Sequence, residues 1–352
     1  DVNIAPQSSK VYEIDSLELE KDNHNSVVFE YLAGDFLIAS EQIILSEGKL
    51  SADINSDGKT TVKPSENKLY ITFDNGSMIF DKSTGFITSY IYKNHEMINS
   101  FPLGDFKGFA PAFYRAPLDN DRNICKYWHT MGLQNTSNIC KGSNFTDNGD
   151  NIVVTTNIKS IANCILPVAN TQIKYTIYPN GNILVDVNCL GGGAVKLLPR
   201  FGVMLEMPKE YENIKYFGLG EDVNLPDYKE HTINKIYQTT VDKLKEDYIK
   251  PQESATRCDV RFAEITNASG FGLRFEAVSK PFVFSASHYT SNQWAKAMHR
   301  EDLVDLPTTC VNIDSSVLGA GSNACGPLPD KKDRVGSLSG KKLSFVVKPI
   351  GE

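Results

Sequence analysis

The chain has 352 residues, with 36 Lys or Arg against 43 Asp or Glu, for a net charge of -7. A mildly acidic surface argues against nucleic acid as a partner, because phosphate backbones recruit Lys and Arg. No run of eighteen apolar residues occurs, so no helix of this chain spans a membrane. At this length one large β-domain or two ordinary ones can bury a core without metals or disulfides.

The opening residues, Asp1-Val2-Asn3-Ile4-Ala5-Pro6, carry neither Met nor a charged-then-apolar leader, and read as a cut made inside a longer protein. Residues 1–50 hold three or four strand candidates, among them 27–31. That is too few for a sandwich of about seven strands, so the segment reads as the second half of a domain. Residues 51–66 are polar, contain Gly58 and Pro64, and read as a linker. Residues 67–352 read as one continuous β-domain.

Within that domain, residues 69–73 alternate, Asn75-Gly76 turns and residues 77–80 return, a strong hairpin signal that places both turn residues at positive φ. The same pattern recurs at 173–178, Asn180-Gly181 and 183–187. Further strands are expected at 87–92, 153–158, 203–206, 260–266, 272–277 and 343–348. Helical signals are confined to 291–299, capped by Thr290 or Ser291, and a turn or two at 241–247. The fold class is therefore all-β.

Seven scattered cysteines without a CxxC pair favour free thiols in a reducing compartment. Four N-x-S/T triplets, at Asn75, Asn135, Asn144 and Asn267, arise readily by chance in an Asn- and Ser-rich chain. The six histidines have no metal-ligand spacing. His299 follows the short helix and reads as a core or cap residue. Gly218-Leu219-Gly220 lacks the third glycine of a dinucleotide site and is followed by Pro226, so it reads as close backbone approach or positive φ.

The most informative stretch is Arg115-Ala116-Pro117-Leu118-Asp119-Asn120-Asp121. Pro117 makes the turn rigid, and three short polar side chains follow it. They either brace the turn, with Arg115 paired to a carboxylate, or meet a ligand hydroxyl. Glu253, Arg257, Asp259 and Arg261 flank a strand start and read as an Arg–Asp network fixing a loop.

Residues 115–121, with Trp128 and Gly132-Leu133 behind, resemble the start of the C-terminal domain of the large β-galactosidases of glycoside hydrolase family 2. Residues 198–202 (LPRFG, with Arg200), 217–227 (FGLGEDVNLPD, with Asn224 and Asp227), 251–262 (PQESATRCDVRF), 284–303 with His299, and 311–327 ending in Cys325-Gly326-Pro327 continue the resemblance in order. Residues 1–50 resemble the end of an immunoglobulin-like domain. The resemblance implies an antiparallel supersandwich of the galactose-mutarotase type. It implies that the catalytic glutamates of retaining β-galactoside hydrolysis, lactose included, lie on an upstream (β/α)₈ barrel, with no catalytic residue in this chain. It places Asn120, Asp121, Ser322, Asn323 and Cys325 on substrate-proximal loops, and leaves Arg115, Asp119, Arg200, Asn224, Asp227, Glu253, Arg257, Asp259, Arg261 and His299 as structural motif residues. The implied partners are a β-galactoside, the barrel and other copies in an oligomer. No cofactor is implied here, since the Mg and Na of full-length relatives bind mostly elsewhere. A cytoplasmic location is expected.

The sequence departs from the family where Val223, Leu225 and Tyr228 replace Glu, Tyr and Arg, and where Cys325 stands in a loop that carries a stacking Trp in some branches. Two rival readings stay open: a carbohydrate-binding or assembly module, and an aldose mutarotase using His129, His288 or His299.

Overall fold

A computed structural model describes residues 3–13, 16–50, 54, 57–98, 108–322 and 324–351. Strands make up 49% of the chain and helices 9%, so the all-β class holds. The chain divides into two compact units, Asp1–Lys49 and Leu50–Glu352.

The first unit is an antiparallel ladder of β1 (His24–Ala33) and β2 (Phe36–Glu47). Its described residues contain two strands instead of the expected three or four, because the polar, Asp- and Lys-interrupted stretch before His24 has no sustained alternation. Val28, Phe29, Tyr31, Leu32, Phe36, Leu37 and Ile38 are exposed. A two-stranded ladder has no second layer against which to bury them.

The second unit begins with a five-stranded meander: β3 (Thr61–Pro64), β4 (Lys68–Phe73), β5 (Gly76–Asp81), β6 (Phe86–Tyr92) and β7 (His95–Glu96). Strand β3 lies inside the stretch read as a linker. Its β-branched Thr61 and Val62 pair with Thr72 and Ile71, and a polar composition did not prevent it from taking that edge. In the first hairpin Phe73 pairs with Gly76, so the loop is Asp74-Asn75 and the residue at positive φ is Asn75, at 63°. Gly76 is required for a different reason: a Cβ there would strike the Ile91 carbonyl and the Phe73 ring.

The remaining elements are β8 (Ala110–Ala112), α1 (Ile124–Met131), β9 (Ser137–Asp147), β10 (Ile152–Ala162), β11 (Leu166–Ile177), β12 (Ile183–Gly192), β13 (Arg200–Pro208), β14 (Asn213–Gly220), β15 (Ile233–Thr240), α2 (Val241–Leu244), β16 (Arg257–Val260), β17 (Phe262–Thr266), β18 (Gly272–Ala277), β19 (Phe282–Ser287), α3 (Ser291–Lys296), β20 (Thr308–Val317) and β21 (Lys342–Ile350). They build a nine-stranded sheet, β15-β14-β17-β18-β21-β12-β11-β10-β9, and a five-stranded sheet, β16-β19-β20-β13-β8. Every recorded pairing is antiparallel. One contiguous core draws residues from all three sheets of this unit, including Phe80, Tyr175, Val203, Ile313 and Phe345.

The two larger sheets bury their faces differently. Strands β10 and β12 alternate buried with half-exposed residues, as expected when one face meets a core and the other meets water. Strands β13 and β20 are buried on both faces. Phe201, Val203, Leu205, Val311 and Ile313 join the main core. The alternate positions carry Arg200, Glu206, Asn312 and Asp314, all buried. Helix α3 reaches the neighbouring strand β19, where Trp294 donates to Ser287 Oγ at 3.2 Å.

Candidate functional site

Arg115 is fully buried and its Nη1 donates to Asp121 Oδ2 at 2.7 Å. The same oxygen accepts the Leu118 N–H at 2.8 Å, closing the tight turn at Asp119–Asp121. Arg115 also donates to the Ala116 and Leu318 carbonyls and lies 5.7 Å from the Trp128 ring centre. Trp128 in turn donates to the Leu197 carbonyl at 2.8 Å. Asp121, expected on a substrate-proximal loop, is therefore buried beneath the turn as the counter-ion of Arg115. A carboxylate so placed is held by charge-assisted bonds and braces the chain.

Asn120 and Asp119 carry the turn outward. Asn120 Nδ2 donates to the Gly321 carbonyl at 2.5 Å. From the opposite side Asp227 accepts the N–H groups of Ala320 and Gly321 at 2.6 and 2.8 Å. A Cβ at Gly319 would strike that carboxylate, so glycine is needed there for close approach. The loop that follows turns on Ser322, whose carbonyl accepts the N–H groups of Cys325 and Gly326. Cys325 is exposed, and Asn323 lies outside the described residues. Asp119 pairs with Gln252 in both directions: its N–H donates to Gln252 Oε1 at 2.8 Å, and Gln252 Nε2 donates to Asp119 Oδ2 at 3.4 Å.

Three segments distant in sequence, around 119, 252 and 321, thus converge. Beside them opens a cavity of about 510 Å³, lined by Asp119, Arg122, His129, Lys250, Gln252 and Ala324 among others. Tyr114 and His129 meet through the tyrosine oxygen and Nε2 at 3.2 Å. Burial, with the Asp121 charge adding, pushes the Cys125 thiol up. The wall offers one carboxylate, two cations, an imidazole and an amide. That set can bind polar groups of a ligand, but it presents no carboxylate pair for glycoside hydrolysis.

The other motif residues serve the scaffold. Asn224 accepts the Cys258 N–H at 2.6 Å and donates to the Leu219 and Asp222 carbonyls. Arg200 lies 3.2 Å from Asp314, both fully buried, and burial pushes the Asp314 carboxyl up to about 7 against the pull of Arg200. Glu253 accepts from Thr256 Oγ1 at 3.4 Å. The expected Arg–Asp network is not formed by Arg257 and Asp259. Arg257 donates to the Thr256 and Leu244 carbonyls, whereas Asp259 takes Lys229 Nζ at 2.7 Å. Asp259 sits at φ 53°, which breaks the regular alternation that would have set the two side chains together. Arg261 packs over the Phe217 ring at 5.8 Å. His299 is exposed and caps the turn at Arg300–Asp302, so of the two roles expected it fills the cap and not the core. A Cβ at Gly218 would press on Val260, so of the two uses expected the glycine serves close approach and not positive φ.

Sequence reasoning missed Arg122 and Lys250, which no motif marks, the contact of Gln252 with Asp119, although Gln252 lies in the 251–262 motif, and helix α1. The apolar spacing of Ile124, Trp128 and Met131 was the available signal for that helix. Among the described residues no cluster of His, Cys, Asp or Glu is arranged to hold a metal ion, and no helix is long and apolar enough to cross a membrane.

The fold and the clamped loops define an all-β sandwich domain with a loop-walled cavity at one end of its five-stranded sheet. By sequence the chain belongs to the family described as Beta galactosidase small chain, which it matches over residues 72–347. Similar curated proteins are β-galactosidases of Actinobacillus pleuropneumoniae (28% identity, 93% of this chain and 32% of the relative), Staphylococcus xylosus (25%, 83% and 29%) and Streptococcus thermophilus (24%, 98% and 32%). The chain spans about a third of the length of these relatives. Similar solved structures include a galactose 1-epimerase from Lactobacillus acidophilus (TM-score 0.48, 8% identity, 94% of this chain and all of that one) and an aldose epimerase homologue from C. elegans (TM-score 0.43, 10% identity, 83% and 99%).

Proposed function

We propose that this chain is the non-catalytic part of a β-galactosidase of glycoside hydrolase family 2. In this reading two carboxylates on a barrel outside the chain hydrolyse terminal β-galactosides, lactose among them, with retention. The clamped loops around 119–122, 250–252 and 320–326 form one wall of that pocket, and residues 1–50 are the end of an immunoglobulin-like domain. The carrying observation is the family match over residues 72–347, a stretch that contains all three converging loops. In this reading any Mg or Na the whole enzyme uses is bound mostly outside this chain. The free cysteines agree with a cytoplasmic setting.

Buried groups matched to sugar hydroxyls discriminate strongly, because a wrong sugar leaves them unpaired. A wall of this kind therefore acts on substrate choice, and the chemistry stays with the carboxylate pair. The purified chain is expected to leave a chromogenic β-galactoside unhydrolysed. Turnover clearly above a blank, abolished by substituting a residue of this chain, would refute the reading.

A further inference from the structure

The described part of the larger unit holds a second large cavity, of about 600 Å³, whose lining includes Lys196, Arg334, Ser337, Leu338 and Ser339 and shares no residue with the cavity beside Asp119. Lys331 also lines it, and no carboxylate does. This is an unusual gathering of cations in a chain of net charge -7. Asp330 and Asp333 sit on the same short turn as Lys331, yet neither forms an ion pair with Lys196, Lys331 or Arg334.

Several donors around this cavity are free. Arg334 is held in place through Nε, which donates to the Pro329 carbonyl at 2.7 Å, and its two terminal nitrogens make no hydrogen bond among the described residues. The N–H groups of Gly336 and Ser337 and the hydroxyls of Ser337 and Ser339 are likewise unbonded there. Lys196 Nζ has one long contact, 3.4 Å, to the Gly193 carbonyl. A guanidinium anchored at Nε presents its remaining fork as a bidentate donor to an oxyanion, and ammonium groups and peptide N–H groups complete such a site. The space far exceeds what one inorganic anion fills and falls in the range of small-molecule clefts. Val195, Leu198 and Leu338 supply an apolar side for carbon-bound hydrogens.

We propose that this cavity binds a phosphate-bearing small molecule, with Arg334, Lys331 and Lys196 gripping the phosphoryl group and the serine hydroxyls meeting its polar remainder. The inference stands on this cavity alone and is independent of the galactosidase reading.

The test is a calorimetric titration of the full chain, at constant ionic strength, with inorganic phosphate, glucose 6-phosphate and glucose. Saturable binding of glucose 6-phosphate, with none of glucose, is expected. Affinity for the ester above that for inorganic phosphate assigns the ester as ligand, and equal affinity assigns the free anion. Arg334→Gln should weaken phosphate binding by about tenfold or more and the exposed Lys331→Gln by about threefold, consistent with the greater strength of a bidentate pair. Lys331→Gln keeps the test open if loss of the Arg334 bond to Pro329 disturbs the loop. Absence of saturable binding by both phosphates overturns the proposal. So does binding that neither variant changes, or heat reproduced by chloride at the same ionic strength.

Discussion

Two buried Arg–Asp pairs stand within the same unit and are built differently. In the first, Arg115 and Asp121 meet at 2.7 Å, the carboxylate also takes the Leu118 N–H, and the guanidinium finds two further carbonyls. In the second, Arg200 and Asp314 lie 3.2 Å apart, but neither Arg200 Nε nor the Asp314 oxygens make an aligned hydrogen bond. Burial then pushes the Asp314 carboxyl up to about 7. Equal burial therefore goes with unequal bonding: Asp121 Oδ2 takes two aligned hydrogen bonds, whereas the Asp314 carboxyl is only near its partner and is raised by burial.

The largest expected effect follows from that contrast. Arg115→Met keeps most of the stem volume but strands Asp121, and should cost about 3–5 kcal/mol in urea unfolding, close to the whole stability of many domains. Arg200→Met should cost about 1–2 kcal/mol at pH 6, because an Asp314 carboxyl raised to about 7 is already largely protonated there, and more at pH 8, where the substitution strands a carboxylate. Equal losses for the two variants, or a loss for Arg200→Met that does not depend on pH, would remove the distinction.

Glu206 extends the series to a buried carboxyl with no ion-pair partner among the described residues. Burial alone pushes it from 4.5 up to about 7. The unfolded chain releases this proton near pH 4.5 and the folded chain holds it to about pH 7. Stability from this group is therefore full below about pH 4.5, falls as pH rises through that window and is flat above it. Glu206→Gln should flatten that part of the profile and raise stability at pH 8 by on the order of 1–2 kcal/mol, with little change near pH 4.5. Urea midpoints across pH 4.5–8 check both ends. A variant profile parallel to that of the parent would show that another group titrates.

These three carboxyls also show how far the sequence could be read. Hairpins 68–81 and 166–192 were legible because one face of each strand meets water, so alternation survives in the residue types. Strands β13 and β20 offer no such contrast, and of them only 203–206 within β13 was expected as strand. In β13 the runs Phe201-Gly202-Val203-Met204 and Leu205-Glu206 mix apolar and polar residues that are all buried. The turn at Arg115 was recognisable from Pro117 and its polar followers, but which carboxylate Arg115 takes depends on side-chain geometry that spacing does not encode. The convergence of 119, 252 and 321 was beyond reach for the same reason, since hydrogen bonds across 133 and 201 residues leave no local trace. The resemblance to a family supplied the loops, and only the coordinates separated buried Asp121 from outward Asn120.

The smallest stability effects are expected where the chain braces least, and there the comparison turns from folding to function. Cys325 is exposed and its side chain has no recorded partner; only its backbone N–H is held, by Ser322 at 3.0 Å. Cys325→Trp should therefore stay within about 0.5 kcal/mol of the parent. Asn120→Ala gives up one bond to Gly321 and should cost about 1 kcal/mol. If the 320–326 loop walls a galactoside pocket, both variants in the full-length enzyme should act on catalysis out of proportion to stability. Asn120→Ala should lower kcat/KM by letting the loop drift, since small displacements of positioning groups carry large rate penalties. Cys325→Trp adds an aromatic face to the loop, and aromatic groups in such sites bury much apolar surface with little loss of side-chain freedom. It should lower KM for substrates with a bulky aglycone, or tighten inhibition by free glucose, with kcat little changed, which is the pattern of uniform binding. If a folded Cys325→Trp enzyme keeps the parent's KM and its inhibition by glucose, the loop does not reach the pocket, and the clamp by Asn120 and Asp227 is scaffold like the buried pair beneath it.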